Sequence, residues 1–146
     1  MSYDICIFFN DPNSEGIESV VDKARQSLSI PFVKTNLAKK KYGCRLVGLD
    51  FSLSERSSYL EDHRDMVFSL YEYELDITSH RNAMSIVHPV AMYIGETLSR
   101  IHQTDAMVCL SGVEFFGALF SGGDLVKDEI SSHKELYAAY GWERKQ

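Results

Sequence analysis

The chain has 146 residues, 45% hydrophobic and 25% charged, and its 15 Lys and Arg against 21 Asp and Glu give a formal charge of −6. That size and balance fit one globular domain with a single core and exclude a disordered or fibrous chain. An acidic surface repels phosphate backbones, and the single basic run, Lys39-Lys40-Lys41 with Lys34 and Arg45 nearby, reads as a solvated loop tip rather than a nucleic-acid patch.

The first residues, "MSYDICIFFN", place Asp4 inside an apolar stretch and lack the basic start and small-residue cleavage site of a secretion signal. No apolar run reaches the roughly 18 residues of a membrane span. The expectation is a soluble cytoplasmic protein with neither membrane nor nucleic acid as partner. Cys6, Cys44 and Cys109 are odd in number and widely spaced, so they read as buried reduced thiols.

Residues 3–9, "YDICIFF", are β-branched and aromatic and stop at the turn cluster "NDPNS", which predicts a first strand. A helix follows, capped by Asp11 or Ser14, with Ile17, Val20, Val21, Ala24 and Leu28 on one face and Pro31 at its end. Residues 45–53, "RLVGLDFSL", alternate as a half-buried strand with Val47, Leu49, Phe51 and Leu53 on one side. After a polar connection a long strand runs from Met66 to Thr78. It turns Tyr71, Tyr73, Leu75 and Ile77 one way and Glu72, Glu74 and Asp76 the other.

"SIVHPVAMYIGETLSRIH" predicts a second helix with Ser85 as cap, Pro89 in its first turn, and Ile86, Val90, Ile94, Leu98 and Ile101 as its apolar stripe. Gly95 weakens that helix slightly. "AMVCLS" is a short buried strand; in residues 112–130 "VEFFGALF" fits either a strand or a helix, and the Gly122-Gly123 turn followed by Asp124 favours strands around it. A short C-terminal helix docks through Leu136, Tyr137 and Trp142. The order β-α-β-β-α-β plus a hairpin matches a single α+β domain over residues 1–146, a ferredoxin-like two-layer sandwich with both helices on one face of an antiparallel sheet.

Helices must cover the apolar side of such a sheet, so Glu72, Glu74 and Asp76 point away from them, with Asp50 as neighbour on the adjacent strand. A charged strand face serves solubility and blocks edge pairing, or it serves as a docking surface for a basic protein. The carboxylate spacing also suits an inverting glycosidase, but an open face lacks the enclosing cleft that separates two carboxyl pKa values. His63-Arg64-Asp65 has no kinase context, and "SGGDL" has no phosphate-binding lysine. The five histidines show neither i, i+4 pairing nor a cysteine partner. Ser99 or Ser111 with His102 and Asp105 has no nucleophile elbow. No catalytic set, metal site or cofactor is expected.

In size, acidity and the pattern from "YDICIFFND" through "YEYELDIT" to "AMYIGETLSRIH", the chain resembles the bacterial immunity proteins that neutralise toxins of contact-dependent or polymorphic secretion systems. The resemblance implies a cytoplasmic antitoxin, monomer or homodimer, that inhibits a basic partner such as a toxin nuclease domain. The contrasting class is a small enzyme or ligand-binding protein with a pocket between the sheet and the C-terminal segment, lined by Tyr71, Tyr73, Phe115, Phe116, His88 and His102.

Overall fold

The computed structural model describes residues 3–13, 16–36, 41–46, 48–55, 71–80, 84–111 and 116–130. Eight strands and two helices follow one another as β1 (Tyr3–Phe9), α1 (Ile17–Leu28), β2 (Val33–Asn36), β3 (Lys41–Leu46), β4 (Leu49–Glu55), β5 (Tyr73–Ser79), α2 (Met84–His102), β6 (Asp105–Ser111), β7 (Phe116–Ser121) and β8 (Asp124–Ile130). The strands form one sheet in the order β2-β3-β4-β5-β1-β6-β7-β8, antiparallel at every pairing. None of the described helices is long and apolar enough to cross a membrane.

Strand alternation decides what the sheet buries. Ile5, Ile7 and Phe9 of β1, Leu49, Phe51 and Leu53 of β4, and Tyr73, Leu75 and Ile77 of β5 join Val20, Val21 and Ala24 of α1 and Val87, Ala91, Ile94 and Leu98 of α2 in one core. The central position of β1 explains why its sequence is apolar at nearly every residue. Its other face is also covered near the C-terminal end, where Phe8 is buried together with Met107, Cys109 and Leu119 of the neighbouring strands.

Several expectations need correction. The stretch 45–53 is not one strand but a hairpin, β3 turning into β4 at Gly48, whose φ of 80° only glycine adopts without strain. Lys41 therefore belongs to a strand rather than a loop tip; Lys39 and Lys40 lie outside the described residues. Strand β2, with three polar residues out of four, was not anticipated. Asp11 does not cap α1, which starts after Gly16 with no side-chain cap hydrogen bond; Asp11 is folded inward, and Ser14 lies outside the described residues.

Residues 66–70 and the C-terminal helix around Leu136, Tyr137 and Trp142 fall outside the described residues. Tyr71 precedes β5 rather than continuing its alternation. The chain bends at Glu72, whose N–H donates to Asn10 Oδ1 at 2.7 Å, so Tyr71 packs against Phe8, 6.4 Å between ring centres. On α2 the buried stripe runs through Val87, Ala91, Ile94 and Leu98, which leaves Ile86 exposed. The Gly122-Gly123 hairpin is present, both glycines at positive φ (58° and 93°) between β7 and β8.

Candidate functional site: the polar face of the sheet

The side of β5 turned away from the core carries Glu74 and Asp76, and antiparallel register sets their neighbours. Three rows cross the strands in the order β1, β5, β4, β3: Asp4, Thr78, Asp50, Arg45; then Cys6, Asp76, Ser52, Gly43; then Phe8, Glu74, Ser54, Lys41. Carboxylates gather on β1 and β5, and the cations Arg45 and Lys41 stand at the β3 border. Glu72 is exposed just ahead of β5, at the end of the same acidic stretch.

Asp50 is held by two cationic or proton-donating neighbours. Its carboxylate accepts from Arg45 Nε at 2.6 Å and Nη2 at 3.3 Å, and from His80 Nε2 at 2.7 Å. A carboxylate can only accept, so the His80 proton sits on Nε2. These bonds hold the Asp50 carboxyl below its ordinary value, and its charge is compensated locally. The acidic surface proper is thus Glu72, Glu74 and Asp76 with Asp4 beside them, while Asp50 forms its neutral margin.

Asp76 is under electrostatic stress. Burial pushes its carboxyl pKa up; the Cys6 thiol hydrogen-bonded to it and Lys41 pull the other way, and Asp4 adds repulsion. Its Oδ1 is buried without a hydrogen-bond partner. A carboxylate in that position costs stability whenever it is ionised. Because the folded pKa is raised, the cost is present at neutral pH and disappears as pH falls towards the unfolded carboxylate range near 4. Asp76→Asn should therefore raise Tm at pH 7 and leave it nearly unchanged at pH 4, a pair of thermal melts that distinguishes this strain from simple surface repulsion.

Cys6, Glu74 and Asp76 place one donor atom each within 4.8 Å of one another, the closest approach to a metal-ligand set among the described residues. Burial and the adjacent Asp76 push the Cys6 thiol far above its ordinary range, so the metal-free thiol is protonated and binding a metal here would release that proton.

The residues of the alternative pocket disperse. Tyr73 lies in the core and stacks on Phe9 at 5.6 Å, with its phenol pushed up to about 12 by burial and by Glu55, Glu72 and Asp11. His102 is buried on the opposite flank of the sheet from the acidic rows, and His88 is exposed on α2. Phe115 and the Phe116 side chain lie outside the described residues.

Asp4, Cys6, Lys41 and His80 were not among the predicted site residues. The first two carry a readable signal, since polar residues at 4 and 6 alternate with Ile5 and Ile7. His80 carries none, because it meets Asp50 across 30 residues of sequence. No family model, curated protein or solved structure matches the chain.

Proposed function

We propose that this chain is a cytoplasmic binding protein that neutralises a basic protein partner, in the manner of a bacterial toxin immunity protein, through the acidic face of β5 and β1. One observation carries the reading: β5 buries Tyr73, Leu75 and Ile77 in the core and turns Glu74 and Asp76 to the opposite face, where Asp76 is kept ionisable at a cost to the fold. Stability-reducing polar groups are retained where function uses them. A cationic side chain of a partner placed against Asp76 and Glu74 relieves both the repulsion and the missing hydrogen bond, and complementary charge speeds encounter.

The inner strand order β4-β5-β1-β6, with α1 between β1 and the β2–β4 segment and α2 between β5 and β6, supports a ferredoxin-like core widened by the β2–β3 and β7–β8 strands. A row of carboxylates along one strand face suits a basic protein partner, whose complementary charge it would meet. The test is affinity capture from the native host on the immobilised chain, eluted with rising salt. A basic protein retained at low salt and released as the Debye length shrinks fits the reading. Retention only of acidic or uncharged proteins, insensitive to salt, rules it out.

A further inference from the structure

Away from the acidic face, one buried group has no role in partner binding. His102 closes α2 with its side chain fully buried, its ring 5.4 Å from that of Phe9, and Nδ1 3.9 Å from Asp11 Oδ1, beyond hydrogen-bond reach. Neither ring nitrogen has a hydrogen-bond partner among the described residues. Asp11 is itself fully buried in its side chain, and Lys23 Nζ of α1 approaches the same oxygen to 4.0 Å.

We propose that His102 is a proton-operated latch, which when neutral holds the last turn of α2 against the Asp11 turn and when protonated releases it together with the β7–β8 turn. The charges around the ring set the direction. Among the described residues, Asp11 from the β1–α1 turn is the anion against it and already faces the Lys23 cation from α1; β1 contributes the uncharged Phe9, whose other ring neighbour is Tyr73 of β5, and Arg100 on α2 itself is turned outward towards Glu96. A second cation here would share the one Asp11 carboxylate with Lys23, and an imidazolium needs two acceptors where, among the described residues, neither ring nitrogen has one within hydrogen-bond reach. The group escapes the cost by moving into water.

Two hydrogen bonds fasten the C-terminal end of α2 and the residues after it to the β7–β8 turn, and a third ties Thr104 back to the helix. Gly123 N donates to Ser99 Oγ at 2.9 Å, Gly122 N donates to Thr104 O at 3.2 Å, and Thr104 N donates to Ser99 O at 3.1 Å. Gly123 also lies so close to Arg100 that a Cβ there would sit 3.1 Å from Arg100 Cβ. Movement at His102 therefore loosens the hairpin that ends in the edge strand β8.

Burial lowers the His102 pKa from its ordinary 6.5, with Asp11 only partly opposing. For a histidine depressed in the folded state, stability is fully present above about pH 6.5 and is lost as pH falls through that value towards the folded one. The experiment is a proton NMR titration of the five histidines of the intact protein, with amide exchange of Gly122 and Gly123 followed between pH 7.5 and 5 and corrected for intrinsic rates. His102 is expected to titrate below the ordinary value, and the opening constant of the two glycines to rise by up to about tenfold per pH unit across the interval between its unfolded and folded pKa values. His102→Phe, which keeps a ring but not the titration, should flatten that dependence if it folds; the unmodified protein decides the matter without it. His102 titrating at or above the ordinary value, or glycine protection independent of pH, overturns the latch.

Discussion

Leu75→Ala is expected to destabilise the protein by about 2–5 kcal/mol, while Glu74→Ala, one residue away, changes stability by less than about 1 kcal/mol. Leu75 is fully buried at the centre of the sheet, where β5 is hydrogen-bonded to both β1 and β4, so truncation leaves a cavity that two rigid strands cannot close. Glu74 on the far face is half-solvated, and its truncation leaves no cavity in the core. Chemical denaturation of the two variants reads the orientation of β5 directly, because a strand rotated by one residue would exchange their costs.

Gly95→Leu should be at least as damaging, at or above the roughly 3 kcal/mol upper end of ordinary overpacking. A Cβ at this position would lie 2.6 Å from Val108 Cγ2 and 3.2 Å from the Phe120 ring. Valine is β-branched and stiff at χ1, so it cannot swing aside. Gly95→Ala separates two effects. Helix propensity gains about 1 kcal/mol, but overpacking costs about 1–3 kcal/mol, so the net change is a loss. Thermal melts of the two variants should rank wild type above Ala and Ala above Leu. A more stable Ala variant would mean that α2 stands further from β6 and β7 than described.

The helix-weakening glycine thus has a reason that sequence periodicity could not supply: it lets α2 approach the sheet. Elsewhere, legibility followed the length of uninterrupted pattern. In β5, Tyr73 to Ser79 alternate without a break, so the outward direction of Glu74 and Asp76 could be read directly, and Gly122-Gly123 announced its hairpin by turn chemistry. The break at Gly48 was hidden because apolar residues flank it closely on both sides, making two short strands look like one. β2 was hidden by Lys34 and Thr35, which an edge strand tolerates and an inner strand would not.

The site was less legible than the fold because its electrostatics arise between distant residues. Arg45 neutralises Asp50 only because the hairpin register places them opposite one another. Cys6 and Asp76 meet across most of the N-terminal half of the chain, and their mutual pKa effects exist only after folding. Asp11 looked like a helix cap beside Pro12; its burial against His102 depends on α2 ending where it does. Alternation along a strand is local information, whereas compensation of charge is not.

The central claim is that the outward acids of β5 recognise a basic protein, and its most direct measurement is the affinity of Glu72→Lys/Glu74→Lys for the partner recovered by capture, at moderate salt. The account predicts a circular dichroism spectrum like that of wild type and binding weakened at least tenfold, about 1.4 kcal/mol, since two attractive contacts become repulsive. A folded double variant that binds with wild-type affinity would contradict it.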